Sequence, residues 1–370
     1  MAGQMFFLMT IYLSLLCLCE LARINYVTFA VPYTIGENKY RVGGKDFCGN
    51  GYRCSMCLSA DSMWNKRKYK FVRENPYNQR RLDGLGMLIC CEWNDSFVKI
   101  INDKNIKHLF LNYSFGWKCS DYAFLEDMQL ETLEIVDVHS KGIRSVEKQK
   151  DLKTLSLNVP DADDVDFRVF YNLKNVFCYG RKRNDTLFSC CSIENLYVDD
   201  FKIGDEHGIG NLKNLKHLTV ANSNITSLSF VRNLVLLENL TILNCKKLQS
   251  FSDISYLQKL KRIDIRGVKG LHDIEFLSNL SNMEVVIIET DRLVSIKPLA
   301  DLRNISALAL FGGNFVIDDM DLTPVNGLKR LSMLDIPNRR CYPVTINNRW
   351  NWNDYGKSRE KWLTEKQRKP

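Results

Sequence analysis

Leu215-Lys-His-Leu218-Thr-Val220 is followed by Leu237-Glu-Asn-Leu240-Thr-Ile242, Leu260-Lys-Arg-Ile263-Asp-Ile265, Met283-Glu-Val-Val286-Ile-Ile288 and Ile305-Ser-Ala-Leu308-Ala-Leu310. Each copy reads apolar-x-x-apolar-x-apolar, and successive copies start 22, 23, 23 and 22 residues apart. A short apolar kernel at a fixed period marks one supersecondary unit repeated along the chain. No single unit can bury its apolar face alone, so neighbours must stack.

The register extends in both directions. Backward it gives Ile193-Glu-Asn-Leu196-Tyr-Val198, Leu173-Lys-Asn-Val176-Phe-Cys178, Leu152-Lys-Thr-Leu155-Ser-Leu157, Leu130-Glu-Thr-Leu133-Glu-Ile135 and Ile106-Lys-His-Leu109-Phe-Leu111. Forward it gives Leu331-Ser-Met-Leu334-Asp-Ile336, making eleven kernels spaced 20 to 26 residues apart. Between the later kernels, apolar residues recur every three positions, as in Ile225, Leu228, Val231, Leu234 and Leu237. That spacing predicts short 3₁₀ or α turns returning the chain to the next strand. Pro160 and the acidic run Asp161 to Asp164 make the earlier repeats less regular.

With these kernels the chain resembles the leucine-rich-repeat superfamily, in the class of roughly 22-residue repeats found in internalins and in a nuclear regulatory subunit of protein phosphatase 1. The resemblance spans residues 101–338. It implies an α/β horseshoe solenoid with a parallel concave sheet of about eleven strands and non-repeat caps. It implies a protein-binding role and names no partner.

The flanks follow from the array. Residues 1–22 read as a possible signal peptide, because Met5 to Cys19 is apolar and uncharged, although no Lys or Arg precedes it. A buried segment of a cytosolic protein is the alternative. Residues 23–100 carry no kernel and read as a cysteine-rich N-terminal cap, and 339–370 as a C-terminal cap with a basic tail. The formal net charge is +8, and residues 339–370 hold nine Lys/Arg against three Asp/Glu. The repeats are therefore close to neutral, which makes nucleic acid an unlikely partner. The composition, with 45% hydrophobic and 25% charged residues, fits a globular chain with no transmembrane span, expected to act as a monomer.

The cap cysteines Cys48, Cys54, Cys57, Cys90 and Cys91 are disulfide candidates in a secreted or surface protein. In a cytoplasmic protein they would be reduced thiols, or Cys54-x-x-Cys57 with two others could bind zinc; the second Cys-x-x-Cys is missing, so no metal site is assigned. Seven Asn-x-Ser/Thr triplets, at Asn94, Asn112, Asn184, Asn224, Asn239, Asn279 and Asn304, lean toward a secretory route. Five scattered histidines and the absence of a phosphate-binding glycine loop predict neither catalysis nor a cofactor. His108 and His217, at equivalent kernel positions, are expected on the strand surface.

Strand alternation turns the leucines inward and the intervening residues outward. Phe110, Phe177 and Tyr197 share the middle outward position, with Tyr179 and Phe311 just beyond the kernel. With Arg262 and Arg266 they form the expected partner-binding face. Lys261, Arg262, Asp264 and Arg266 are expected to pair across strands with Glu284 and Glu289. Cys178, Cys190 and Cys245 are expected inside.

Overall fold

The computed structural model describes residues 68–137, 141–159, 162–179, 186–200, 206–351, 356–357 and 361–366, with two short strands at Arg41–Val42 and Lys45–Asp46. Of the long described tract, residues in 68–152 and 156–161 form one compact unit, and those in 153–155 and from 162 onward a second.

In the first unit, Tyr69–Glu74 and Arg81–Ile89 form an antiparallel hairpin. Arg81–Ile89 then runs parallel to His108–Asn112, which runs parallel to Thr132–Val136. Helix Ser96–Asp103 buries Phe97 and Ile101 and crosses the expected boundary between cap and repeats. The kernel residues Ile106, Leu109, Leu111, Leu130, Leu133 and Ile135 are all buried.

The second unit is more regular. Asn175–Tyr179, Asn195–Asp199, His217–Ala221, Asn239–Leu243, Arg262–Arg266, Val285–Glu289, Ala307–Phe311 and Met333–Asp335 pair in sequence order, each parallel to the next. Register follows the kernel: Leu218 stands beside Leu240, Leu240 beside Ile263, and Val286 beside Leu308. A slip of one residue would turn every kernel leucine outward, so burial fixes the register. Leu215, Leu240, Leu260, Ile263, Met283 and Ile305 are fully buried, each contributing roughly 1.5–3 kcal/mol of transfer free energy. Three-residue spacing becomes 3₁₀ turns at Ser229–Asn233, Ser252–Tyr256, Glu275–Leu277 and Lys297–Leu299.

With Thr154–Asn158, all eleven kernels form strands. The fold is a leucine-rich-repeat solenoid.

The turn after each strand repeats as well. Asp200, Asn222, Asn244 and Gly267 take left-handed backbone at successive repeats, with φ between 48° and 64°. Short polar residues and glycine tolerate this region best. Asn222 donates to the Asp199 carboxylate at 2.9 Å and Asn244 donates to Asn222 Oδ1 at 3.1 Å, stacking one turn on the next. Gly312 answers a closer approach: a Cβ there would stand 2.1 Å from the Thr290 carbonyl oxygen.

At the far end of the second unit, Leu334 and Arg349 exchange backbone hydrogen bonds of 2.8 and 2.9 Å. Val344–Ile346 then pairs antiparallel with Leu363–Glu365. Here Trp362 is buried and Trp350 packs against the last strands. Trp352 and Tyr355 lie outside the described residues.

Candidate interaction face

On strands His108–Asn112 and Thr132–Val136 the outward positions are not open. His108, Phe110, Asn112, Thr132, Glu134 and Val136 are all buried. What covers two of them is the tip of the hairpin. Asn75 shapes this tip by accepting from the backbone N–H of Tyr77 at 2.9 Å, and its Nδ2 donates to Glu134 Oε1 at 2.5 Å. The Tyr77 ring stands edge-on to Phe110 at 6.0 Å. Phe110, expected as a partner contact, is therefore core. His108, expected on the surface, is held between Thr132 Oγ1 at 2.9 Å and the Asp83 carbonyl at 3.0 Å.

Burial raises the Glu134 carboxyl to about 8, although the Asn75 hydrogen bond pulls it the other way. It is therefore mainly protonated at neutral pH, which avoids burying an uncompensated charge.

The second unit presents a different surface. Thr219 and Thr241 occupy the middle outward position and are half-buried, with Asn175, Asn195 and His217 in the neighbouring column. Parts of that column are bonded strand to strand: Asn175 donates to Thr154 Oγ1 at 2.9 Å, Asn195 donates to Asn175 Oδ1 at 2.6 Å, and Asn239 bonds His217 Nδ1. Thr219 and Thr241 stand next to this column, on strands in register.

The expected contact residues of this unit fall in four places. Phe177 and Tyr197 do stand side by side, with ring centres 6.4 Å apart, but they are only 6% and 9% exposed. The Tyr197 hydroxyl donates to Asp199 at 2.9 Å, so these rings belong to the packed part of the face and not to an open cluster. Tyr179 sits on its strand, and its side chain lies outside the described residues. Arg262, also expected as a contact, is buried and donates to Asp264 at 3.2 Å. Arg266 caps the same carboxylate at 2.7 and 3.0 Å and lies over the Phe311 ring at 5.9 Å. Arg266 and Phe311 stay half-buried.

Lys261 and Arg262 pair backward or within their strand and not, as expected, with Glu284, while Arg266 bonds Asp264 and also acts on the charge of Glu289. Lys261 reaches Glu238 on the preceding strand side at 2.9 Å, and Lys216 reaches Glu194 at 2.9 Å. Glu289 is near Arg266, whose charge opposes the rise in its pKa caused by burial. From strand Val285–Glu289 onward, the outward positions are mostly apolar. Val285, Ile287, Ala307, Ala309 and Met333 form a buried cluster against which Phe311 and Trp350 pack.

Sequence reasoning missed Thr219 and Thr241, because small polar residues at a single position carry no signal that distinguishes a site from a surface. The buried cysteines Cys178, Cys190 and Cys245 lie inside as expected. Among the described residues Cys90 and Cys91 join no disulfide, and Cys48, Cys54 and Cys57 lie outside those residues. Among the described residues, no cluster of three His, Cys, Asp or Glu could hold a metal, and no helix is long and apolar enough to cross a membrane.

No family model matches the chain, and no curated protein does. Solved structures do. An internalin, InlF, from Listeria monocytogenes is similar at 17% identity and a TM-score of 0.42, over 68% of this chain and 66% of that one. Internalin C2 from the same organism is similar at 21% identity and a TM-score of 0.40, over 51% of this chain and 83% of that one. A leucine-rich-repeat protein of Leptospira interrogans is similar at 15% identity and a TM-score of 0.43, over 65% of this chain and 74% of that one. The chain thus spans slightly less than two thirds of the InlF structure it matches.

Proposed function

We propose that this leucine-rich-repeat protein is a non-enzymatic module that binds a partner protein through the sheet face of its second unit. The observation that carries this reading is the half-buried tract around Thr219 and Thr241, which sits on strands held in strict register. A rigid face is ordered before a partner arrives, so little conformational entropy is lost on contact. Arg266 and Phe311 border the tract as an arginine and an aromatic, the residue types most often dominant in interfaces.

The test is to place a large charged side chain in the tract. Thr219→Arg and Thr241→Arg each leave the melting temperature within a few degrees and lower partner capture at least tenfold in a pull-down with the intact protein. Undiminished capture by both variants overturns the assignment of this face.

The secretory reading belongs to the same proposal. A leader at residues 1–22 and disulfides among Cys48, Cys54, Cys57, Cys90 and Cys91 would suit a secreted or surface protein. Intact mass with and without reductant separates it from a cytoplasmic scaffold. A gain of about 2 Da per bridge on reduction supports it, and an unchanged mass in the secreted product, or a bound zinc, refutes it.

A further inference from the structure

The Asn-x-Ser/Thr triplets are indistinguishable as motifs, but the fold separates them. Asn239 is buried on its strand, and its amide nitrogen bonds His217. Asn112 is also buried on a strand, and its Oδ1 accepts from the Ser114 N–H at 2.8 Å. Asn304 is half-buried, with its Nδ2 given to the Ser281 carbonyl at 2.8 Å. Asn184 lies outside the described residues.

The other three stand in the open. Asn224 is exposed between the buried residues Ser223 and Ile225, and Thr226 is exposed two residues on. The amide and the hydroxyl of the triplet therefore both reach solvent. Asn279 and Ser281 repeat the arrangement around fully buried Leu280. Asn94 is exposed at the start of helix Ser96–Asp103, where its Oδ1 accepts from the Ser96 N–H at 2.9 Å. An N-glycosidic bond uses Nδ2 and leaves that carbonyl oxygen available, so the turn survives modification.

We propose that Asn94, Asn224 and Asn279 are N-glycan acceptors and that Asn112, Asn239 and Asn304 stay bare. In the reaction, the amide nitrogen bonds to the anomeric carbon of a lipid-diphosphate-linked oligosaccharide. The carbon–oxygen bond to the diphosphate breaks, the lipid diphosphate leaves with the electron pair, and the amide loses a proton. None of the three acceptors lies on a strand. Carbohydrate at Asn224 and Asn279 therefore grows from connecting segments and leaves the Thr219 and Thr241 tract uncovered. This inference rests on the secretory reading above.

The experiment expresses the full chain in secretion-competent eukaryotic cells, once with its own N-terminus and once behind a proven cleavable leader. Secreted, soluble protein is treated with peptide N-glycosidase, and the aspartates this leaves at former glycan sites are mapped by peptide mass. Aspartate at 94, 224 and 279, with one gel step lost in each of Asn94→Gln, Asn224→Gln and Asn279→Gln, is the expected result. Carbohydrate on Asn112 or Asn239, or a bare Asn224 or Asn279 behind the added leader, overturns the acceptor assignment. The expected pattern behind the added leader alone upholds the acceptors and overturns the secretory reading.

Discussion

The two units use one kernel, yet the same kernel position is closed on some strands and open on others. In the first, Phe110 and Glu134 occupy the middle outward position and are buried beneath the hairpin tip. In the second, Thr219 and Thr241 occupy the same position and remain half-buried. The kernel decides which way a side chain leaves the strand. What lies over that strand decides whether the side chain meets solvent. Outward-facing and solvent-facing are separate properties, and only the first is periodic.

The largest expected effect tests this difference directly. Phe110→Ala removes a fully buried ring and is expected to cost about 3–5 kcal/mol, whereas Thr219→Ala stays within about 0.5 kcal/mol. Urea unfolding of both variants checks it, and similar costs would erase the distinction between the units.

A pH series sharpens it. The folded-state pKa of Glu134 lies near 8, above the ordinary carboxylate value of 4.5. The folded state therefore holds this proton more tightly than the unfolded chain does. The associated stability is complete below pH 4.5 and is lost as pH rises through about 8. The Glu134→Gln variant keeps an acceptor for Asn75 and has no proton to lose. Its advantage over the parent should grow across that window to a few kcal/mol. Equal slopes for the two proteins between pH 5 and about 9 would count against a buried carboxyl at this position.

The smallest effect belongs to the second unit. The Lys261 and Glu238 side chains are 45% and 33% exposed, so their ion pair is well solvated. Lys261→Ala should change stability by less than about 1 kcal/mol, and less still in high salt. A larger, salt-insensitive loss would mean that the rungs of charge carry more of the fold than solvation allows.

The register of all eleven kernels was legible in the sequence because stacking repeats impose one period on every copy. Burial of the outward residues was not. The Asn75–Glu134 hydrogen bond joins residues 59 apart, one of them in a segment with no repeat, and periodicity cannot report such a contact. Arg262 and Arg266 misled for another reason. Charged residues at outward positions suggest presentation to a partner, but their guanidinium groups converge on Asp264 in their own strand. Cysteines and histidines followed the same rule, since Cys245 sits where its kernel offset puts it while His108 is enclosed by neighbours.

The rungs of charge also bear on how the array can change length. Lys174, Glu194, Lys216, Glu238, Lys261 and Glu284 precede successive strands with alternating sign, and the Lys174–Glu194, Lys216–Glu194 and Lys261–Glu238 pairs are formed. Loss of one internal repeat would set lysine against lysine or glutamate against glutamate. Loss of two would restore the alternation. Each contact is weak, so the bias is mild, but it has a definite parity: this stretch lengthens or shortens most easily by an even number of repeats.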